Sequence, residues 1–329
     1  MLELLKKVLK PVAPSGLEEP VAAVIREEVA PYVDSIETDA LGNLICVKNG
    51  TEANPEKIML SAHMDHIGYI VTGIEKEGFR RVTNVGGISP TMSLTRHVSF
   101  PNGVQGVVVS EVSKDTAMKD LFVDIGAQDK ADAETMVQIG DVCVYANDCF
   151  QLGANRVASP AMDDRAACAL LIRFLQTVGA TKQTIIAVFS VQEEVGCRGA
   201  KGAAFQQEPD IGIVLEGTTC NDLGDVPETA HVCEAGQGVA VSFMDGASIA
   251  NRALFRKALD VAKQENIPHQ VKHSVSGGND GGAIQRAREG VPVVVLSVPC
   301  RYIHSPSSVV KLSDVESQFA LVKALVKAL

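Results

Sequence analysis

The sequence predicts an α/β protein whose mostly parallel sheet is interrupted by a β-rich insertion. The runs Ile58-Met-Leu-Ser-Ala62, Thr184–Val191, Ile211–Leu215 and Val291–Val298 are apolar without alternation, as strands buried on both faces are. Helical patterns separate the later runs, and helices alternating with buried strands imply a parallel sheet. Between about 68 and 156 the texture changes instead to short β-type runs broken by Gly and Asn turns.

Taken in order, Met1–Lys10 carries charge throughout and reads as an amphipathic helix, followed by strand candidates Ser35–Glu37 and Leu44–Val47. Strand Ile58–Ala62 has the buried character of the later strands, so it belongs to their sheet. Gly68–Ile74, Gly106–Val109 and Val142–Tyr145 read as strands with a turn at Asn102-Gly103, and Asp132–Val137 as the one helical stretch among them. Ala166, Ala167, Leu170, Leu171, Phe174, Leu175 and Val178 then recur at helical spacing from about 165 to 178. The simplest account is a discontinuous α/β domain, 1–67 with 157–329, and an inserted domain, 68–156.

Length and composition agree. At roughly 150 residues per domain, 329 residues suggest two domains. With 46% hydrophobic residues and a mean hydropathy of +0.13, the chain can build a large core and is not disordered. Lys plus Arg is 30 against 40 for Asp plus Glu, a net charge of −10 that disfavours nucleic acid as a partner. The absence of Trp and 4% aromatics argue against sugar- or base-stacking surfaces. Val291–Val298 is interrupted by Pro292 and Ser297 and falls far short of the ~20 residues needed to span a bilayer. Eight cysteines without a C-x-x-C pair read as reduced thiols in a cytoplasmic protein.

The acidic and histidine residues fall where chemistry is expected. Strand 58–62 runs into His63-Met-Asp65-His66, strand 184–191 into Gln192-Glu193-Glu194, strand 211–215 into Glu216, and strand 291–298 into a turn ending at His304. Asp163-Asp164 opens the helix that follows. Sites in open α/β sheets form beyond the carboxyl ends of the strands, so these distant groups should meet. Two histidines with several carboxylates make a mixed nitrogen and oxygen ligand set suited to Zn²⁺, Co²⁺ or Mn²⁺. Neighbours Glu193 and Glu194 project to opposite sides, so one can bind metal while the other holds a reacting water.

In these residues the chain resembles the TET-type aminopeptidases, the glutamyl and deblocking group of co-catalytic dinuclear metallopeptidases. The resemblance runs nearly the full length, through Ala13-Pro-Ser-Gly16, Ser61-Ala-His63-Met-Asp65, Ala161-Met-Asp163-Asp164-Arg165 and Gln192-Glu193-Glu194-Val-Gly196. It continues in Arg198-Gly199-Ala200, Gly277-Gly278-Asn279-Asp280 and Pro299-Cys-Arg-Tyr-Ile-His304-Ser305. It implies that His63 and either Glu216 or Glu194 serve individual metals, that His304 completes the pair and that Asp163 bridges both ions. Glu193 would be the general base, with Asp65 orienting His63. Asp164, His66, Gly278 and Asp280 would support the ligands or the substrate, Gly277–Gly282 by close backbone approach. The resemblance further implies that 68–156 is a small β-barrel used in dimerisation, with dimers building a hollow tetrahedral dodecamer. Departures from the pattern are Glu216 where Asp is more common, His66 where an acidic residue is usual, and Ser159-Pro160 where Gly-Lys is common.

The expected activity is release of the N-terminal residue from short peptides. Two other classes compete with it: a glycoside hydrolase, since relatives with this fold are labelled endoglucanases, and a non-catalytic oligomeric binding protein. Absence of Trp and histidines among the acids argue against the first, and retention of Glu193 and the ligands against the second. His97, His231, His269 and His273 read as structural or surface residues. Cys197, Cys220 and Cys300 lie near the proposed site, where thiols can bind soft metals, but core or pocket lining is the plainer reading.

Overall fold

The computed structural model describes residues 1–111, 115–146, 149–275 and 277–329. Helices α1 (Leu2–Leu9) and α2 (Glu19–Val29) precede strands β1 (Ser35–Thr38), β2 (Leu44–Lys48) and β3 (Lys57–His63). Six strands then close a barrel: β4 (Gly68–Ile74), β5 (Arg80–Val85), β6 (His97–Ser99), β7 (Gln105–Ser110), β8 (Leu121–Asp124) and β9 (Val142–Tyr145). Short helices α3 (Pro90–Ser93) and α4 (Lys130–Met136) lie between them. The chain returns through β10 (Phe150–Leu152) and β11 (Arg156–Ser159) to α5 (Met162–Thr177), β12 (Thr184–Ser190), α6 (Arg198–Gln207) and β13 (Ile211–Thr219). It ends with β14 (Val239–Ser242), α7 (Arg252–Gln264), β15 (His269–Val271), α8 (Asp280–Gln285), β16 (Val293–Arg301), β17 (Ser308–Lys311) and α9 (Leu312–Ala328).

The large sheet runs β1-β2-β12-β3-β13-β16-β17-β11-β10, with β14 and β15 attached beside β16. Its central strands β12, β3, β13 and β16 are parallel, as their unbroken apolar runs predict, and antiparallel strands flank them. Alternate residues point to opposite faces. Ile58, Leu60 and Ala62 join the core under α1, α2, α5, α7 and α9, whereas Met59 faces Ala200, Ala203 and Ala204 of α6 and Ile284 of α8. The expected α/β sheet and small barrel are both present. Among the described residues, no helix is long and apolar enough to cross a membrane.

The barrel has its own core, including Tyr69, Val71, Val98, Val108, Leu121, Val123 and Tyr145. The Tyr69 hydroxyl donates to Ser93 at 2.6 Å and lies 2.9 Å from the Tyr145 hydroxyl, from which it can accept, so both phenols are satisfied inside it. Arg80 is fully buried there and donates to the Gly78 and Ala133 carbonyls. β10 and β11 pair with each other and β11 with β17, so the segment after β9 already belongs to the large sheet.

Two strands run further than their apolar runs suggest. β13 continues to Thr219 and β16 to Arg301, because their parallel ladder pairs Glu216 with Ser297 and Thr219 with Cys300. Glu216 therefore sits inside a strand, not in the loop beyond it.

Candidate active site

The sheet register brings the first ligand candidates together. β3 pairs with β13 up to Ser61 opposite Val214, and two residues further the strands reach His63 and Glu216. The His63 Nε2 lies 3.2 Å from Glu216 Oε1 and 3.6 Å from Asp163 Oδ1. The other Asp163 oxygen, Oδ2, is 3.3 Å from His304 Nε2, which is also 3.3 Å from Glu194 Oε2. Two clusters result, His63–Asp163–Glu216 and Asp163–Glu194–His304, each with donor atoms within 4.8 Å of one another and Asp163 common to both. Asp163 reaches this position because it and Asp164 take non-helical backbone angles at the start of α5.

Asp65 organises the surroundings. Fully buried, it accepts from the Ser15 hydroxyl at 2.6 Å and from the backbone N–H groups of Glu193 at 3.0 Å and Glu194 at 3.1 Å. Its Oδ1 also lies 3.6 Å from His63 Nδ1, on the ring edge away from the carboxylates. Asp65 thus fixes a candidate ligand through its backbone carbonyl, 3.0 Å from His63 Nδ1, and through its carboxylate the turn carrying Glu193 and Glu194. Glu18 holds the same turn by accepting from the Gln192 N–H at 3.1 Å. Asn43 accepts from the Val191 N–H at 3.0 Å and donates to the Gly199 carbonyl at 3.0 Å, bracing the turn at both ends.

The remaining candidates lie around these clusters. The Asp164 side chain accepts from the His63 backbone N–H at 3.2 Å, and α5 has no side-chain cap bond. Asp280 begins α8 and accepts from Ser190 at 2.5 Å and Ser61 at 3.1 Å. Gly278 lines the cavity beside the clusters. His66 belongs to neither cluster: it is buried, and its Nδ1 has no hydrogen-bond partner. Burial, with the Arg165 cation adding to it, pushes the His66 imidazole down to about 3.

The electrostatics call for cations. Asp163 Oδ1, Glu194 Oε1 and Glu216 Oε2 are buried without hydrogen-bond partners, an expensive state for carboxylate oxygens. Burial pushes the Glu193 carboxyl up to about 9 and that of Glu216 up to about 8, neighbouring carboxylates adding to the shift against the pull of His63. Burial alone would lower His304, but its contacts with Asp163 and Glu194 outweigh this and hold it up to about 11. Carboxyls that keep protons beside imidazoles that gain them mark a site that is both desolvated and crowded with negative charge. Divalent cations would neutralise that charge, and the imidazole and carboxylate donors present fit such ions.

The clusters open into a cavity of about 260 Å³, whose other walls include Gly217, Thr218, Lys272, Gly277, Gly278 and Asn279. Ser15, Thr218 and the buried Lys272 were not singled out from sequence. Ser15 lies inside the Ala13–Gly16 motif, which was a usable signal. Lys272, directly after the short strand β15, had none. The barrel also reaches the site: a Cβ on Gly86 would meet Glu194 at 3.1 Å, and one on Gly87 would meet His304 Nδ1 at 3.0 Å.

Known proteins resemble this chain in sequence and in fold. The sequence profile of the M42 glutamyl aminopeptidase family matches residues 42–321. A protein of Acetivibrio thermocellus provisionally named an aminopeptidase is 40% identical over 335 residues, spanning 100% of this chain and 98% of its own. The lysyl aminopeptidase of Pyrococcus furiosus is 34% identical over 346 residues, 99% of this chain and 97% of that protein. Among solved structures, the TET1 peptidase of Pyrococcus horikoshii, described as assembling into a tetrahedron or a large octahedral shell, superposes with a TM-score of 0.88 at 32% identity, over 100% of this chain and 99% of that one. A Thermotoga maritima structure described as an endoglucanase superposes with a TM-score of 0.83 at 32% identity, over 99% of this chain and 96% of that one. The chain belongs to the M42 glutamyl aminopeptidase family, and like its relatives it is an aminopeptidase, a hydrolase of peptide bonds.

Proposed function

We propose that the protein is a dinuclear metal-dependent aminopeptidase that removes the N-terminal residue from short peptides. The observation that carries this reading is the pair of three-ligand clusters sharing Asp163. His63 and Glu216 would hold one divalent ion, Glu194 and His304 the other, and Asp163, common to both clusters, would contribute to each. When bound, such ions acidify a shared water and polarise the substrate carbonyl.

The chain's own groups do the rest. Glu193 takes a proton from the attacking water as its oxygen bonds to the carbonyl carbon, then returns that proton to the nitrogen released when the C–N bond breaks. Burial raises the affinity of Glu193 for that proton, and nearby cations oppose the rise, which leaves a base able to work in both directions. Asp65 keeps His63 and the Glu193 backbone in register. The carboxylates would receive the substrate's free α-amine, restricting cleavage to the first residue. Lys272 and His304 both line the cavity, and the family's description points to an acidic N-terminal side chain as the preferred one.

Zn²⁺ and Co²⁺ suit the donor set best, and Mn²⁺ is compatible. We assign 1–67 with 157–329 as the catalytic domain and 68–156 as a dimerisation domain, whose barrel ends at β9 and whose last residues, from β10, return to the large sheet. Val107 and Ile139 are exposed on the latter, and dimers along the edges of a tetrahedron, the form described for the P. horikoshii relative, would give a dodecamer. A reducing cytoplasm suits eight free cysteines.

The deciding experiment measures hydrolysis of glutamyl-, leucyl- and lysyl-anilides and of short peptides after chelation, and again after adding Zn²⁺, Co²⁺ or Mn²⁺. Chelation should abolish release of the first residue and the metals should restore it, fastest for the glutamyl substrate, while β-glucan stays intact. Undiminished hydrolysis by the chelated enzyme would sink the reading.

A further inference from the structure

A third group of potential ligands lies beside the two clusters, on the far side of Glu193. The loop from β12 to α6 carries Glu193 and ends at Cys197, which takes a left-handed backbone (φ 52°) just before α6. Non-glycine residues seldom adopt that conformation. It folds Cys197 back so that its Sγ lies 3.3 Å from Glu193 Oε1. Asp280 approaches from α8, and the ligand atoms of Glu193, Cys197 and Asp280 lie within 4.8 Å of one another.

An independent feature of Asp280 points to a ligand there. Its residue is 1% exposed, and Oδ2 is taken by Ser190 and Ser61, yet Oδ1 has no hydrogen-bond partner. A buried carboxylate oxygen without a donor is costly unless something positive approaches it. Cys197 supplies what the two clusters lack, a sulfur. One thiolate and two carboxylates, with one position left for water, make a four-coordinate site for a soft or borderline divalent ion such as Cd²⁺ or Zn²⁺ and a poor one for Mg²⁺ or Ca²⁺.

We propose that Cys197, Glu193 and Asp280 form a third, inhibitory cation site selective for thiophilic divalent metals. Binding exchanges the Cys197 proton for the ion, the proton leaving to solvent. Glu193 has one oxygen on each side: Oε2 lies 3.9 Å from His63 Nε2, and Oε1 faces Cys197. An ion held on Oε1 withdraws the negative charge that makes Glu193 a base, so excess metal stops turnover without displacing the ions at the two clusters. The inhibition rests on the proposed role of Glu193. The binding does not.

The test titrates Cd²⁺ into enzyme already loaded with two equivalents of Zn²⁺, reading bound metals by mass spectrometry and the sulfur-to-metal charge-transfer band by ultraviolet absorption. Wild type should take a third equivalent with that band, and kcat should fall as it binds while KM stays constant. Cys197→Ser keeps a hydroxyl donor but loses the sulfur. It should lose both the band and the third equivalent, keep the first two, and need roughly 10-fold or more Cd²⁺ for the same inhibition. Asp280→Asn should weaken the third site in the same direction.

A third equivalent without the band in wild type, or a band that survives in Cys197→Ser, overturns the proposal, and the wild-type arm decides even if a variant folds poorly. Should the two-metal peptidase reading fail instead, anilide hydrolysis would be missing throughout while the sulfur band still reported the site.

Discussion

Asp65 accepts hydrogen bonds from Ser15, Glu193 and Glu194 while facing the His63 ring, and Glu193 is the carboxylate left facing the cavity without a ligand's position in either cluster. Glu193→Gln should therefore retain both metals and lower kcat by ~10²–10⁴-fold, the usual contribution of a general base. Metal analysis alongside steady-state kinetics checks this, and wild-type kcat in the variant would remove Glu193 from the role. His66 gives a pH prediction. Its folded pKa of about 3 lies below the ordinary 6.5, so in that window the unfolded chain holds a proton that the folded chain lacks. Stability is then complete above 6.5 and falls as the pH drops towards 3, by up to about 1.4 kcal/mol per pH unit. His66→Gln should flatten the pH dependence of urea-unfolding free energy by that slope, and an unchanged slope would rule His66 out as its source. The ligand candidates were legible because His63, Asp163, Glu193, Glu194, Glu216 and His304 follow or flank apolar runs. Lys272 was not, because a lysine in a polar stretch looks like any solvated charge until the fold buries it.

At the level of elements, β13 is held between β3 and β16 and cannot shift to accommodate new atoms. Glycine at 217 leaves room for Asp163, since a Cβ there would stand 2.8 Å from Asp163 Oδ1. Gly217→Ala should push Asp163 aside and weaken metal affinity at least ~10-fold with little change in the thermal melt. Competition against a chromogenic chelator measures this, and wild-type affinity would mean that Asp163 is not held there. The same strand shows why apolar runs mark only part of an element. Glu216-Gly217-Thr218-Thr219 looks like the start of a loop, but the ladder to β16 keeps it extended. In the barrel, Gly68–Ile74 and Val142–Tyr145 were readable, whereas β5 begins with Arg80 and Arg81 and looks solvated. Burial of Arg80 depends on carbonyls of Gly78 and Ala133, a partner set no local pattern announces.

Over the whole molecule, the α/β sheet, the insertion and the meeting point of the ligand candidates could be read from the chain, because long buried strands leave strong periodic signals. Barrel closure, the contact of Gly86 and Gly87 with the site, and the Asp65 network could not, since each depends on segments far apart in sequence. Assembly is the prediction at this scale. Light scattering at micromolar concentration should give the mass of a multi-subunit shell, and Ile139→Glu should reduce it towards smaller species. A monomeric mass for the wild type would refute the assigned role of the barrel.

The order in which the chain supplies the clusters has a consequence for the cell. His63 is made first and waits through the barrel, α5, β12 and β13, and His304 arrives only after β16. The His63–Asp163–Glu216 cluster can form earlier, but the cluster that needs His304 cannot exist until that last central strand has been synthesised and paired. A chain that stops short of His304 therefore lacks one of the two candidate clusters. On the proposed reading, peptide trimming waits on the pairing of β16, so activity is coupled to assembly of the central sheet.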